Sequence, residues 1–145
     1  MSLFSALSVS ASGMAAQRTR AELLVENIAN SETTRTAEGG PYRRKDVVFS
    51  SEHVSSAFAS ELDAQLNGSA TGVKVSGISV DNSEPERRYM PGHPDADADG
   101  YVAMPRVNPA EDMVDLMGAS RSYQANVSAM SAVKDMIQHS IDLLK

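Results

Sequence analysis

The sequence predicts an α+β chain: long N- and C-terminal helices paired as an antiparallel coiled-coil hairpin, with a small β-rich middle domain. Three observations carry this. Apolar residues recur at alternating spacings of three and four near both ends of the chain. Valine-rich alternation replaces that spacing in the middle. Gly, Pro and polar clusters mark the junctions. The chain therefore divides into an N-terminal helix over 1–30, a β-rich middle domain over 31–108 with a flexible excursion near 50–72, and a C-terminal helix over 109–145.

The first helix rests on Phe4, Leu7, Ala11, Met14, Ala21, Val25 and Ile28, with Arg18 in the remaining position. This is a heptad pattern held for about four heptads, which describes one narrow seam. Asn30 suits a left-handed stop, and residues 31–41 are turn-forming and polar. The last helix repeats the pattern through Met113, Leu116, Ser120, Tyr123, Val127, Met130, Lys134, Ile137, Ile141 and Leu144. Its start is well marked: Asn108 suits the N-cap, Pro109 the first helical position and Glu111 a capping box. Over residues 109–144 such a helix is about 54 Å long.

Antiparallel pairing with the middle domain at the closed end sets Ile28 against Met113, Val25 against Leu116 and Ala21 against Ser120. The same register brings Arg18 over Tyr123, then Met14 to Val127, Ala11 to Met130, Leu7 to Lys134 and Phe4 to Ile137. A one-heptad slip fits the periodicity equally. The chosen register lets small meet small at Ala21 and Ser120, and Arg18 over Tyr123 adds a cation–π contact of about 0.5–1 kcal/mol.

The remaining helix faces bear small or amide side chains where a solitary helix usually carries Lys and Glu. Gly13, Gln17, Asn27 and Asn30 on the first helix, and Gly118, Arg121, Gln124 and Asn126 on the last, are candidate inter-subunit packing residues. A helical Gly costs about 1 kcal/mol against Ala, and close lateral packing is a reason to keep it.

In the middle domain, Val73 and Val75 alternate with polar residues, and Ile78 and Val80 do so in the opposite phase. Gly77 sits at the change, as a bulge requires. Val47–Phe49 and Tyr101–Met104 are further strand candidates. Val54, Phe58, Leu62 and Leu66 recur every four residues, which suggests a short helix or a mobile excursion, and Asn67–Gly72 reads as a loop.

Little in the sequence supports catalysis. The net charge of −6 disfavours non-specific nucleic-acid binding, and the absence of Cys removes disulfides and thiol chemistry. Asp95, Asp97, Asp99 and Gly100 resemble the opening of an EF-hand loop, but its twelfth position is Arg106 where a bidentate Glu is needed. Asp95 and Asp97 therefore read as a polar turn, with His93 a turn residue between Pro91 and Pro94. His53, His93 and His139 share no helical spacing that would gather a metal. No nucleophile elbow or phosphate-binding glycine motif occurs. No catalytic, metal or cofactor-binding residue is assigned. Arg43, Arg44 and Lys45 form a basic run, read as a solvated strand edge or a site for an acidic partner surface. Residues 1–17 carry no charged side chain and resemble a signal core, yet no Lys or Arg precedes them and Ser interrupts them, so we read them as mature structure. No stretch reaches the length of a membrane span.

Several motifs, in order, carry a family resemblance. Ser12-Gly-Met-Ala-Ala-Gln-Arg18 and Asn27-Ile-Ala-Asn30 resemble the N-terminal signature of flagellar rod and hook proteins. Gly39-Gly-Pro-Tyr-Arg-Arg-Lys45 with Val47-Val-Phe49 resembles the proximal-rod members of that family. So do Tyr89-Met-Pro-Gly-His-Pro-Asp-Ala-Asp97 with Gly100-Tyr-Val102, Met113-Val-Asp-Leu-Met117, and Ala119-Ser-Arg-Ser-Tyr-Gln-Ala-Asn-Val127. Arg106 stands where an Asn is common, and residues 50–72 match no motif. The resemblance implies a non-enzymatic rod subunit, exported through the flagellar type III apparatus without a cleaved signal. It implies assembly in the periplasm with copies of itself and other rod proteins, to carry torque from motor to hook and filament. It also implies that the terminal helices pair and stack near the rod axis. On the residues alone, the competing reading is a soluble helical adaptor or export-associated binding module using the same seam, with an enzyme a distant third.

Overall fold

The computed structural model describes residues 3–53 and 71–143. Helix α1 (Leu3–Ala29) is followed by strands β1 (Lys45–His53), β2 (Thr71–Val80), β3 (Glu86–Tyr89) and β4 (Tyr101–Met104), then helix α2 (Pro109–Asp142). The repeat through Val54, Phe58, Leu62 and Leu66, and Leu144 at the end of the last heptad pattern, lie outside the described residues.

Both helices begin and end close to their sequence signals. Asn108 caps α2 in an extended conformation, its side-chain oxygen accepting from the Ala110 amide at 3.1 Å, with Pro109 in the first turn. Asn30 closes α1 through its side chain, Nδ2 donating to the Glu26 carbonyl at 2.9 Å. The two helices pack along each other as a hairpin.

The middle of the chain forms two separate two-stranded antiparallel sheets, β1–β2 and β3–β4. The register of β1–β2 slips between Val48, which faces Gly77, and Phe49, which faces Val75. The extra residue is Ser76, whose hydroxyl donates to the Val48 carbonyl at 3.0 Å. The bulge thus adjoins Gly77, where the apolar phase changes. β3 had no strand signal, since Glu86-Arg-Arg-Tyr89 is exposed throughout and lacks alternation. It is held by pairing with β4, whose Val102 and Met104 are buried.

The sequence places the middle domain at the closed end of the hairpin, and β3–β4 is found there, beside Ser31, Glu32 and Pro109, but β1–β2 is not. β1–β2 folds back along α1. Lys45 at its start is tied to Asn27, and the Val73 amide donates to Ser12 Oγ at 3.1 Å. From Asn27 to Ser12 the helix rises about 22 Å. From Lys45 to Ser51, the partner of Val73, the strand advances about 20 Å. The lengths match, so helix and strand run side by side. A two-stranded sheet is marginal alone, and α1 supplies the surface it needs. Leu23 and Leu24 of α1 and Val47 and Phe49 of β1 line one cleft together with Arg20 and Asp115.

Candidate assembly interface

The contact between α1 and α2 is made of small residues. Ala16 and Ala119 are almost wholly buried, and a Cβ added to Gly13 would lie 3.1 Å from Asn126 Nδ2. Val133 is buried farther along α2, and Arg20 reaches Asp115 at 3.4 Å.

The apolar stripes expected to form this contact lie elsewhere. Phe4 is 74% exposed, Val25 52%, Met113 55% and Val127 42%. Ala11, Arg18, Ser120 and Tyr123 are also exposed, while Leu7, Met14, Ala21, Ile28, Leu116, Met130 and Ile137 are half-covered. On a helical wheel the α2 stripe is turned roughly a quarter turn from Asp112, Ala119 and Val133, whereas the α1 stripe lies nearly opposite Ala16, Leu23 and Asn27. The physical reason is close approach. Gly13, Ala16 and Ala119 bring the backbones near, and β1–β2 takes a further face of α1, leaving the larger apolar residues on the flank.

Both flanks open on the same side. Arg18 and Ala21 of α1, with Leu116, Ser120 and Tyr123 of α2, line one shared groove. Arg18 points its guanidinium at Glu22, 2.9 Å away, so the ion pair holds it in place of the expected stacking on Tyr123. Gln17 also lines the groove, and its Oε1 is shut from solvent without a hydrogen-bond donor among the described residues.

The amide and glycine positions sort by what they touch. Asn27 does not face a neighbour. It is fully buried, its Oδ1 accepting from Tyr42 Oη at 2.9 Å and the Lys45 amide at 3.0 Å, and its Nδ2 donating to the Lys45 carbonyl at 2.9 Å. The amide matches both backbone groups at the start of β1, which is why it is spent inside the subunit. Asn30 is used in the α1 cap, and its Oδ1 accepts from Thr33 Oγ1 at 3.2 Å. Asn126 packs on Gly13 and donates to the Ser122 carbonyl at 3.0 Å. These four face inward. Gly118, Arg121 and Gln124 are exposed, and nothing lies within 4 Å of a Cβ built on Gly118.

Within the basic run Arg43 is exposed, whereas Arg44 and Lys45 are half-buried and engaged by acidic partners. Arg44 Nη2 lies 2.8 Å from Oδ1 of the fully buried Asp112 in the first turn of α2, and its Nε meets Asp46 at 3.2 Å. Lys45 Nζ contacts Glu26 Oε1 at 2.5 Å and sits over the Tyr42 ring, 5.7 Å from its centroid. Arg43 Nη1 donates to Asn82 Oδ1 at 2.6 Å. Arg44 and Lys45 staple the start of β1 to α2 and α1. Burial pushes the Tyr42 phenol up to about 12, helped by the charges of Glu26 and Asp112. Burial also raises the Asp112 carboxyl, against the pull of Arg44. Tyr42 and Asp112 carried no periodicity signal, and their partners Asn27 and Arg44 themselves read as outward-facing in the sequence.

The other middle-domain candidates build turns. Tyr89 packs edge-on against Tyr101, with centroids 5.3 Å apart. Asp97 Oδ1 accepts from the Asp99 and Tyr101 amides at 3.0 and 2.8 Å, while Gly100 turns with φ +80°. Asp95 accepts from Thr34 Oγ1 at 2.8 Å, and its amide donates to His93 Nδ1 at 3.1 Å. Asp97 thus closes the loop between β3 and β4, and Asp95 ties it to the segment after α1.

Residues 98–143 match the family model described as flagellar basal body rod FlgEFG protein C-terminal. The whole chain is 45% identical to the full length of the flagellar basal-body rod protein FlgC of Bacillus subtilis. It is 38% identical to FlgC of Borreliella burgdorferi, covering 100% of this chain and 99% of that one. To FlgC of Salmonella typhimurium it is also 38% identical, over 99% and 98% of the two chains.

Proposed function

The chain belongs to the FlgC family of flagellar basal-body rod proteins, and from that membership we infer that its work is assembly through the two terminal helices. It is a structural subunit of the flagellar basal-body rod. We place it in the proximal part of the rod, in the periplasm, after export from the cytoplasm through the flagellar type III apparatus. Among the described residues no helix is long and apolar enough to cross a membrane. Its partners are other copies of itself and other rod proteins, and its role is to pass torque from motor to hook and filament without catalysis of its own.

The observation that carries this reading is the open apolar face of the hairpin. Phe4, Val25, Met113 and Val127 are exposed on helices whose mutual contact is already satisfied by small residues. Each fully covered side chain of that size contributes roughly 1.5–3 kcal/mol, and a hairpin that withholds several of them gains by meeting neighbours. Heterologous contacts of this kind propagate helically, and close-packed helices resist torsion.

Cryo-electron microscopy of basal bodies isolated from cells producing this chain tests the reading. The expected result is rod density below the hook fitted by α1 and α2, with the apolar flanks covered. Recovery of the chain only in a finite soluble complex, absent from the rod, would overturn it.

A further inference from the structure

The groove between α1 and α2 has a counterpart on the opposite side of the same chain. Along the outside of α2, Val114, Met117, Gly118, Arg121 and Ala125 form a row at helical spacing, all exposed. Val114 is 63% and Met117 53% exposed. Arg121 has no ionic partner among the described residues, and the space above Gly118 is open to 4 Å. Such a row is an apolar ridge with one cation and a low point where another backbone can approach.

We propose that this ridge on one copy seats in the α1–α2 groove of a second copy of the chain, so that identical subunits join groove to ridge in an open series. The inference rests on the rod reading and adds the two surfaces that meet and their order. Three features of the groove select this occupant. Its floor is short, with Ala21, Ala119 and Ser120 admitting large side chains such as Met117. Its lining residue Arg18 is paired with Glu22, whose side chain is still 60% exposed and can take Arg121 as a second cation. Its lining includes Gln17, whose buried Oε1 lacks a donor among the described residues. An arginine fork supplies such donors. Groove and ridge lie on different faces, so the contact is heterologous and cannot close as a two-fold pair; within the rod reading it continues as an open series.

The chain has no Cys, so a disulfide between introduced residues reports the contact directly. The double variant Ala21→Cys/Ala125→Cys carries one thiol in the groove and one on the ridge. Produced in cells as the only copy of the subunit and oxidised in isolated basal bodies, it should give a ladder of linked dimers, trimers and higher species. Ala21→Cys alone and Ala125→Cys alone should remain monomeric. A linked dimer from either single variant would overturn the open series, since like surfaces would be meeting. Unlinked double variant in rods that contain it would overturn the groove-to-ridge pairing while leaving the rod assignment intact. Absence of the unsubstituted chain from basal bodies would instead overturn the rod assignment. A charge exchange gives an independent readout: Arg121→Glu and Glu22→Arg should each reduce swimming, and the double exchange should restore it. No restoration, with both single variants folded as the parent, would exclude an Arg121–Glu22 contact.

Discussion

Arg44 Nη2 lies 2.8 Å from Asp112 Oδ1, and Asp112 is wholly buried. This pair joins the start of β1 to the first turn of α2, while Asn27 joins the same strand to the end of α1. Removing one member of a buried pair leaves an uncompensated charge. Arg44 keeps some exposure, so Arg44→Met should cost about 3 kcal/mol, the low end of the usual range. Arg44→Met/Asp112→Leu should recover to within about 1 kcal/mol of the parent in urea unfolding. The pH dependence follows from the raised Asp112 carboxyl, which burial drives and Arg44 opposes. A folded carboxyl above its ordinary 3.8 contributes most at low pH, and that contribution is lost as pH rises through the folded value. Without Arg44 the carboxyl rises further, so the deficit of Arg44→Met should be smaller at pH 4 than at pH 7. An equal deficit at both would show that Asp112 is not the charge being left unpaired.

Tyr42 offers a second titration. Its phenol is raised from 10.0 to about 12. Between those values the unfolded chain releases the proton and the folded chain keeps it, so stability falls as pH rises. The loss is at most about 2.7 kcal/mol, at 1.36 kcal/mol per pKa unit. The difference in phenolate absorbance between parent and Tyr42→Phe should centre near 12. Tyr42→Phe should also cost about 1 kcal/mol at neutral pH through the lost bond to Asn27, and lose less stability on alkalinisation than the parent.

Two glycines separate the contact within a subunit from the contact between subunits. A Cβ on Gly13 meets Asn126 at 3.1 Å, whereas nothing lies within 4 Å of one on Gly118. Gly13→Val should push the helices apart and cost about 1–3 kcal/mol. Gly118→Leu should leave the monomer as stable as the parent, or up to about 1 kcal/mol more stable through helix propensity, yet fail to enter rods. Thermal unfolding and the protein content of isolated basal bodies distinguish the two outcomes. Normal rods from Gly118→Leu would remove Gly118 from the assembly surface.

These residues also show what the sequence could and could not disclose. The heptads place both helices to within a few residues because periodicity reports which face is apolar. It does not report what covers that face. Met113, Tyr123 and Val127 gave the stripe, but Ala16 and Ala119, with too little side chain to dominate a pattern, make the intrachain contact. Asn27 read as an outward amide because an interior helical Asn has no local signature. Its partners, the Lys45 backbone and Tyr42, are set by how β1 returns along α1. β3 was illegible for a similar reason: Arg87 and Arg88 pair with buried β4 by backbone alone. Gly77, in contrast, marked its bulge to within a residue, since a change of alternation phase is a local event.

Gln17 tests whether the groove is a finished surface. Its Oε1 is buried without a donor, a state that costs about 1–3 kcal/mol. Gln17→Leu removes the orphaned acceptor while keeping similar bulk, so the isolated subunit should gain about 1 kcal/mol in urea unfolding. If the acceptor is kept for a neighbour, the same variant should assemble less well, with fewer rods per cell and reduced swimming. A gain in subunit stability coupled to a loss in assembly is the mark of a group retained for binding. A gain with unchanged rods would mean that Gln17 meets no donor after assembly, and a loss of subunit stability would mean that its amide already serves the fold.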